Sequence, residues 1–333
     1  MKLLRTHRFY RWAAAVLAGC ALAIPSLYAA AGTAGNVVQV TTTVTASVDE
    51  GKRMPSINPE DVIVRQGKER VQVTKWVPAQ GQRAGLELFI LIDEASDARL
   101  GSHLADVKDF INRQPSSAAI GVGYMRNATV QIVQDLTLDH ARAVRALRLP
   151  MGTPGAYGSP WLSVTSLMKS WPASDNRREI VVLTDGIDHA GRNWHPGWHG
   201  LHRNPDADTA SAVAQRTGTI IHTIYVPGIG RWHRSHWTAV SGQSDMTRVS
   251  EKTGGESYYL GLGNPVSLSP YFNRLEKVLD HQYLLSFSAT PGKKPGLQAV
   301  RLNTELAGVR LAAPDAVWVP DQDQARTQST TGQ

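Results

Sequence analysis

Two apolar runs that each end in an aspartate constrain the fold of this chain most strongly. The first run covers residues 86–92 and is followed by Asp93, and the second covers residues 180–184 and is followed by Asp185. Short continuous apolar runs are typical of strands that are buried on both faces of a parallel sheet. Ligands of open parallel sheets bind outside the carboxyl ends of the strands, so the two aspartates predict a functional site at that edge.

Strand and helix patterns alternate between residues 86 and 282, which predicts an α/β fold with a mainly parallel sheet. The predicted strands cover residues 86–92, 118–124, 129–134, 180–184, 219–226 and 256–260. The predicted helices cover residues 100–113, 139–147, 161–170, 209–215, 246–252 and 269–281. The connection between Tyr124 and Thr129 is too short for a parallel crossover, so the strand beginning at Thr129 is predicted to run antiparallel at the sheet edge.

The two ends of the chain are rich in β patterns. Residues 37–48 are β-branched and partly alternating, and residues 61–65 and 70–76 flank a polar turn that contains Gly67, as in a hairpin. Three further strands are predicted near the other end, at residues 283–289, 297–303 and 316–319. Neither end has enough strands for a stable sheet of its own, so segments 36–80 and 283–320 are predicted to pack together as an accessory module. Residues 321–333 carry no large apolar side chain, which predicts a disordered tail.

The first 31 residues have the order of a secretory signal peptide. Basic residues come first, an apolar stretch follows from Trp12, and small residues occupy positions 29–31. We therefore expect cleavage near positions 29–31 and a secreted or periplasmic protein. One alternative is a lipoprotein anchored at Cys20, which ends the sequence Leu-Ala-Gly-Cys. Another is an uncleaved anchor, since residues 12–31 approach the ~20 residues that span a bilayer. Cys20 is the sole cysteine, so no disulfide is expected after cleavage.

The charge of the chain argues against nucleic-acid binding. The formal net charge is +7, and removal of a signal that carries four basic residues and no acid leaves +3. The remaining Lys and Arg residues are scattered along the chain, whereas nucleic-acid binders concentrate them in a stripe. We expect no nucleic-acid partner, and membrane contact only through the signal or a lipid on Cys20.

Three loop motifs resemble those of a von Willebrand factor A domain. They are Asp93-x-Ala95-x-Asp97 after one strand, Gly158-Ser159 before a helix, and Asp185-Gly186 after another strand. The resemblance covers residues 86–282 and implies a doubly wound, Rossmann-like sheet with a protein-binding role. In that family the three loops bind one divalent ion, which a carboxylate of the ligand usually completes. The flanking β segments resemble those of a bacterial secreted subgroup described from acidobacteria.

The metal-binding pattern of that family is incomplete in this chain. The family has Asp-x-Ser-x-Ser, whereas Ala95 offers no side-chain oxygen and Asp97 replaces a hydroxyl with a carboxylate. Two outcomes stay open. Asp93, Asp97, Ser159 and Asp185 could bind Mg²⁺ or Mn²⁺ with water at the missing position, because such hard ions accept oxygen ligands. The site could instead be vestigial, with the aspartates acting as polar caps of strand ends.

Two aromatic loops are predicted to overhang the same edge of the sheet. Tryptophan and arginine are enriched at the centres of protein interfaces, so we expect these loops to contact a protein partner. The predicted contact residues are Trp194, His195, Trp198, His199, Trp232, His233 and Trp237. A zinc site formed by His195, His199 and His202 is a poor alternative, because Pro196-Gly197 interrupts any regular helix and no cysteine is available.

The sequence predicts a binding protein rather than an enzyme. Ser159 does not lie in a nucleophile elbow, and no glycine-rich motif leads from a strand into a helix with a lysine beside it. We expect an unidentified protein ligand at the edge marked by Asp93 and Asp185. The alternatives are a metal-dependent hydrolase that uses the same edge and a structural envelope protein with a vestigial site.

Overall fold

The computed structural model describes residues 37–49, 51–80, 85–188, 204–229 and 236–321. Within these ranges the strands are β1 (Val38–Val48), β2 (Val62–Gln66), β3 (Glu69–Val71), β4 (Val73–Pro78), β5 (Leu86–Asp93), β6 (Ala118–Arg126), β7 (Thr129–Thr137), β8 (Arg177–Thr184), β9 (Thr219–Tyr225), β10 (Ser257–Tyr258), β11 (Gln282–Ala289), β12 (Gly296–Thr304), β13 (Val309–Ala312) and β14 (Ala316–Val319). The α-helices are α1 (Leu104–Arg113), α2 (His140–Arg145), α3 (Pro160–Ser170), α4 (Pro205–Thr217), α5 (His236–Thr253) and α6 (Ser269–Asp280).

The central sheet has six strands in the order β10-β9-β8-β5-β6-β7. Neighbouring strands are parallel except for β7, which is antiparallel to β6 at the edge. The predicted doubly wound, mainly parallel α/β sheet is therefore confirmed, as is the antiparallel edge strand. The short β6–β7 connection forces that direction, because a parallel crossover needs a dozen or more residues.

Helices cover both faces of this sheet. All eight residues of β5 are buried. Leu88 and Ile90 pack in one core with α1, α2 and α6, whereas Phe89 and Leu91 pack in another core with α3, α4 and α5. Successive side chains of a strand point to opposite faces, so a strand covered on both sides reads as one continuous apolar run.

The flanking segments form two four-stranded sheets that share a third core. Their strand orders are β13-β1-β11-β4 and β14-β12-β2-β3. β1 pairs antiparallel with β11 over eight residues, so the two flanking segments meet directly. Trp76 of β4 stacks on Tyr283 of β11 with ring centroids 4.4 Å apart. The predicted hairpin is present as β2 and β3, around Gly67 in the left-handed region.

Helix starts differ most from the sequence prediction. α5 begins at His236, ten residues before the predicted start, and α4 begins at Pro205 rather than at residue 209. Ser, Thr and Gly are weak helix formers, and they occupy much of the first half of α5. Packing of Ala239 and Met246 in the core stabilises this helix where propensity does not.

Some predicted segments lie outside the described residues. These are the signal segment 1–31 with Cys20, and residues 322–333 of the tail. Among the helices that the structure describes, none has the length and apolar character needed to cross a membrane.

Candidate functional site

Asp93 and Asp185 lie at the same edge of the sheet. β5 and β8 are adjacent and parallel, with Ile92 opposite Leu183, so the residues that end or follow these strands emerge side by side. Both aspartates are buried, with 6% and 2% of their surface exposed. We call this the carboxyl edge, since β6, β9 and β10 also end there.

Hydrogen bonds hold the Asp93 carboxylate from two directions. The backbone N–H of Ala95 donates to Oδ1 at 2.9 Å, and the Thr184 hydroxyl donates to Oδ2 at 2.7 Å. The same Thr184 oxygen accepts from the N–H of Gly186 at 3.0 Å. Asp93 therefore joins its own loop to the end of the neighbouring strand.

The loop after β8 is tied in a similar way. The N–H of Ile187 donates to Oδ1 of Asp185 at 2.8 Å. Gly186 has φ +72°, and a Cβ at Gly242 of α5 would collide with the carbonyl oxygen of Asp185. Burial and then the negative charge of Asp185 raise the pKa of Tyr225 to about 12. The close approach of α5 thus fixes the position of Asp185.

Ser159 connects α3 to this edge. It is the N-cap of α3, where its hydroxyl oxygen accepts from Leu162 N at 3.3 Å. Its hydroxyl donates to Oδ2 of Asp188 at 3.0 Å. Asp188 is half-buried, and it is hydrogen-bonded to a buried serine.

Two further acids, Asp206 and Asp245, lie close to Asp188. Burial, followed by a hydrogen bond and charge from Asp188, raises the pKa of Asp206 to about 6. Burial also raises the pKa of Asp245 to about 6, although Asn204 and Arg248 donate to its carboxylate at 3.0 and 2.7 Å. Sequence reasoning missed both acids. The Asn204-Pro205 pair, a typical N-cap followed by proline at N1, was the signal for Asp206.

Asp245→Asn tests this electrostatic environment. A raised folded pKa means that the folded protein binds the proton more tightly than the unfolded chain, so this contribution to stability is lost as the pH rises from about 4 through about 6. The quantity compared is the free energy of unfolding of Asp245→Asn minus that of the unmodified protein. We expect this difference to increase by about 2 kcal/mol from pH 4.5 to pH 8. Urea unfolding at both pH values measures the change. Ser244→Ala, a non-titrating change on the same helix, should differ from the unmodified protein by the same free energy at both pH values. The same result for Asp245→Asn would contradict the prediction.

Asp97 has a different role from the other predicted metal-binding residues. It caps a 3-10 turn (Ala98–His103), accepting from the N–H of Arg99 at 2.8 Å and from the Arg99 guanidinium at 2.9 Å. Ala95 is buried, and its carbonyl oxygen accepts from Ile229 N at 2.9 Å. Among the described residues, no group of three or more His, Cys, Asp or Glu side chains is arranged to hold a metal ion. The described residues do not fit the divalent site of the family that the sequence resembles.

Glu94 is a structural residue of the edge that the sequence did not reveal. It is 1% exposed, and it accepts hydrogen bonds from the Arg148 guanidinium and from Met151 N. The Arg148 guanidinium lies 3.7 Å from the centre of the Tyr124 ring. Glu94 therefore fixes the segment that leads from α2 towards Ser159.

Most of the predicted aromatic contact residues lie outside the described residues. These are Trp194, His195, Trp198, His199, Trp232 and His233. Trp237 is described, and it lies in the first turn of α5 rather than in a loop, because the helix starts earlier than predicted. Its side chain is 81% exposed.

Exposed apolar residues lie at the start of α5 and in the segment after β10, and two of them line a groove. The exposed apolar residues Trp237, Val240, Tyr259 and Leu260 define what we call the α5 surface. Val240 and Tyr259 line a groove of about 380 Å³ together with Gln243, Ser244, Thr247, Arg248 and Glu251. Residues 259–261 follow β10 at the carboxyl edge, and Gln243 Nε2 donates to the Gly261 carbonyl at 2.7 Å. The α5 surface thus begins beside the loop of Asp185.

No family model matches this chain, and no curated protein matches it. It is similar to the solved structure of an aerotolerance-related membrane protein from Bacteroides fragilis, with 15% identity and a TM-score of 0.41 over 59% of this chain and 99% of that one. The SpRpn10 VWA domain is 15% identical, with a TM-score of 0.35 over 57% of this chain and 94% of that domain. The ArnB paralog VWA2 from Sulfolobus acidocaldarius is 10% identical, with a TM-score of 0.37 over 88% and 78%. The strand order of the chain itself defines its doubly wound α/β class.

Proposed function

We propose that this chain is a protein-interaction module of the von Willebrand factor A type, whose protein partner contacts the carboxyl edge through the α5 surface. The exposure of Trp237 and Leu260, at 81% and 84%, is the observation that carries the proposal. Large apolar side chains are costly to leave in water, and patches of them mark interaction sites.

The chemistry of the α5 surface suits a protein ligand. Trp and Tyr side chains contribute much of the binding energy at interface centres, especially when a polar rim excludes water around them. The groove beside Val240 and Tyr259 has polar side chains at Gln243, Ser244 and Thr247. An apolar side chain of the partner could enter this groove while its backbone bonds to the polar rim.

Trp237→Ala should weaken partner capture by at least about tenfold, since truncating an aromatic hot spot costs more than about 1.4 kcal/mol. The measurement is quantitative capture from an envelope extract of the organism that encodes the chain, followed by titration of the recovered protein. A photo-crosslinking residue at Ser244 should label the same partner.

Leu138→Ala is the matched control, because Leu138 is also apolar and 63% exposed but lies just after β7, at the other end of the sheet order. Capture should be unchanged in this variant. Equal affinity of the Trp237 and Leu138 variants for the recovered partner, with no crosslink from position 244, would refute a role for the α5 surface.

We propose a non-catalytic role for the carboxyl edge. The Ser159 hydroxyl donates to the Asp188 carboxylate and also caps α3, which leaves it poorly placed as a nucleophile. A nucleophilic serine is normally activated by a base such as histidine. Hydrolysis of generic ester or phosphate substrates that Ser159→Ala abolishes would contradict this assignment.

We also propose that the chain acts outside the cytoplasm. The support is the signal-like order of residues 1–31, with basic, apolar and small segments in sequence. Mass spectrometry of the exported chain tests this, with a mature end near positions 29–31 and unchanged processing of Cys20→Ala. A lipid attached at Cys20 would instead support the lipoprotein alternative.

A further inference from the structure

We infer that the carboxyl edge is organised by the chain's own hydrogen-bond donors and operates without a divalent ion. The statement that a partner binds without an ion rests on the proposed function. The statement that the edge binds no divalent ion is independent of it. Three sets of contacts carry the argument: those of the strand-end carboxylates, those of Asp97, and those of the loop after β5.

The strand-end carboxylates already receive donors from the protein. Asp93 accepts from Ala95 N and from the Thr184 hydroxyl at 2.9 and 2.7 Å, and Asp185 accepts from Ile187 N at 2.8 Å. Hydrogen bonds to the charged form stabilise a carboxylate, which is also what a bound cation would do. Protein donors therefore hold both carboxylate oxygens of Asp93 and Oδ1 of Asp185.

The positions that would supply further oxygens to an ion do not do so. Mg²⁺ demands near-octahedral oxygen geometry, and Ala95 offers no side-chain oxygen. Both carboxylate oxygens of Asp97 accept from Arg99, whose guanidinium would have to be displaced before Asp97 could bind metal. Ser159 remains, but its hydroxyl donates to Asp188.

The loop after β5 is also fixed by the protein itself. Its carbonyl oxygens accept from two neighbouring segments: Glu94 O from Thr153 N at 2.7 Å, and Ala95 O from Ile229 N at 2.9 Å. Its own Asp97 N donates to Pro227 O at 2.9 Å. The Glu94 side chain adds the contacts to Arg148 and Met151. The order of this loop therefore does not depend on a bound ion.

Calorimetric titration and thermal unfolding of the full chain with Mg²⁺ or Mn²⁺ test the inference. We expect no saturable heat, and a shift of less than about 1 °C in Tm between 10 mM Mg²⁺ and EDTA, because only an ion that binds the folded state raises Tm. Ala95→Ser/Asp97→Ser restores the two missing hydroxyls, and it should gain saturable Mn²⁺ binding that Asp185→Ala abolishes. Circular dichroism checks that the double variant folds, and Ala95→Ser alone replaces it if it does not.

The metal titrations and the partner-capture assays test separate statements. Saturable Mn²⁺ binding by the unmodified chain that is lost in Asp185→Ala would overturn the inference. If neither the unmodified chain nor the serine variant binds, positions 95 and 97 are not the reason for the loss. Partner capture that is equal in Mg²⁺ and in EDTA supports ion independence, and capture lost in EDTA overturns it. Absence of capture in both buffers counts against the proposed function only, since the titrations decide the ion question without a partner.

Discussion

Glu179→Ala should reduce the free energy of unfolding by about 3 to 5 kcal/mol, the cost of breaking a buried ion pair by removing one partner. Glu179 lies on β8 and is fully buried. Its Oε2 accepts from His222 Nε2 on β9 at 2.8 Å, and its Oε1 lies 3.9 Å from the Arg177 guanidinium. The alanine variant would leave two buried polar side chains without this carboxylate.

The hydrogen bonds around His222 define its tautomer. The backbone N–H of Glu256 can only donate, and it donates to His222 Nδ1 at 3.1 Å. Nε2 therefore carries the hydrogen that Glu179 accepts. Burial alone would raise the pKa of Glu179, but the hydrogen bond from His222 and the charge of Arg177 hold it below its ordinary value of 4.5. The stabilisation is thus present above that value and is lost as the pH falls through the lower folded pKa.

Urea unfolding followed by circular dichroism measures this effect. Glu179→Gln should lose less than Glu179→Ala, because it keeps an acceptor for His222 without the charge. Glu276→Ala is the matched control, since Glu276 forms a partly exposed ion pair with Arg113 at 2.8 Å and such pairs contribute less than about 1 kcal/mol. A double variant with Arg177→Ala should cost less than the two single changes combined. Equal losses for Glu179→Ala and Glu276→Ala would show that the buried network is not a stabilising element.

The same network shows a limit of sequence reasoning. The apolar run at residues 180–184 predicted β8, because a buried strand is recognised from the pattern of neighbouring residues in the sequence. Glu179 and His222 are 43 positions apart, and only the pairing of β8 with β9 brings them together. A polar residue within a buried strand indicates that it has a hydrogen-bond or ion-pair partner, but not which residue that is.

The carboxyl edge was predictable in part for a related reason. Parallel strands end at one edge, so Asp93 and Asp185 could be placed together from the order of elements. The hydrogen bond between Ser159 and Asp188 depends on two separate loops, and the position of Asp206 depends on the start of α4. Side-chain direction in such loops is set by tertiary contacts. The sequence therefore predicted that the two aspartates share one edge, but not the contacts that Asp97 makes.

The start of α5 was predicted ten residues too late, which is the largest error in the predicted secondary structure. A buried glycine in a helix lowers helix propensity, yet it allows the close approach that fixes the helix on the sheet. Gly242 occupies such a position against the loop after β8. The low helix propensity of Gly242 made α5 difficult to predict from the sequence. The packing, however, requires a residue as small as glycine at this position.

Gly242→Ala should therefore destabilise the protein by about 2 to 3 kcal/mol, as inserting a methyl group into a well-packed contact does. Propensity alone predicts the opposite sign, because alanine in a helix interior is favoured over glycine by about 1 kcal/mol. The difference arises because the added Cβ would collide with the Asp185 carbonyl oxygen and press on Gly186 and Ile187. Thermal and urea unfolding measure the change, with Ser241→Ala as the control at the adjacent exposed position. A Gly242 variant as stable as the unmodified protein would refute the contact.

The contact between α5 and the Asp185 loop also predicts how a second substitution behaves. Gly186 has φ +72°, and a Cβ there would meet the Gly242 carbonyl, so Gly186→Ala carries both backbone strain and the same collision. Either alanine can be accommodated only if α5 moves away from the loop, and one such movement relieves both collisions. The double variant should therefore lose less stability than the two single losses combined. Since Trp237 lies on the same helix, both single variants should also weaken partner capture if the α5 surface and the Asp185 loop bind as one unit.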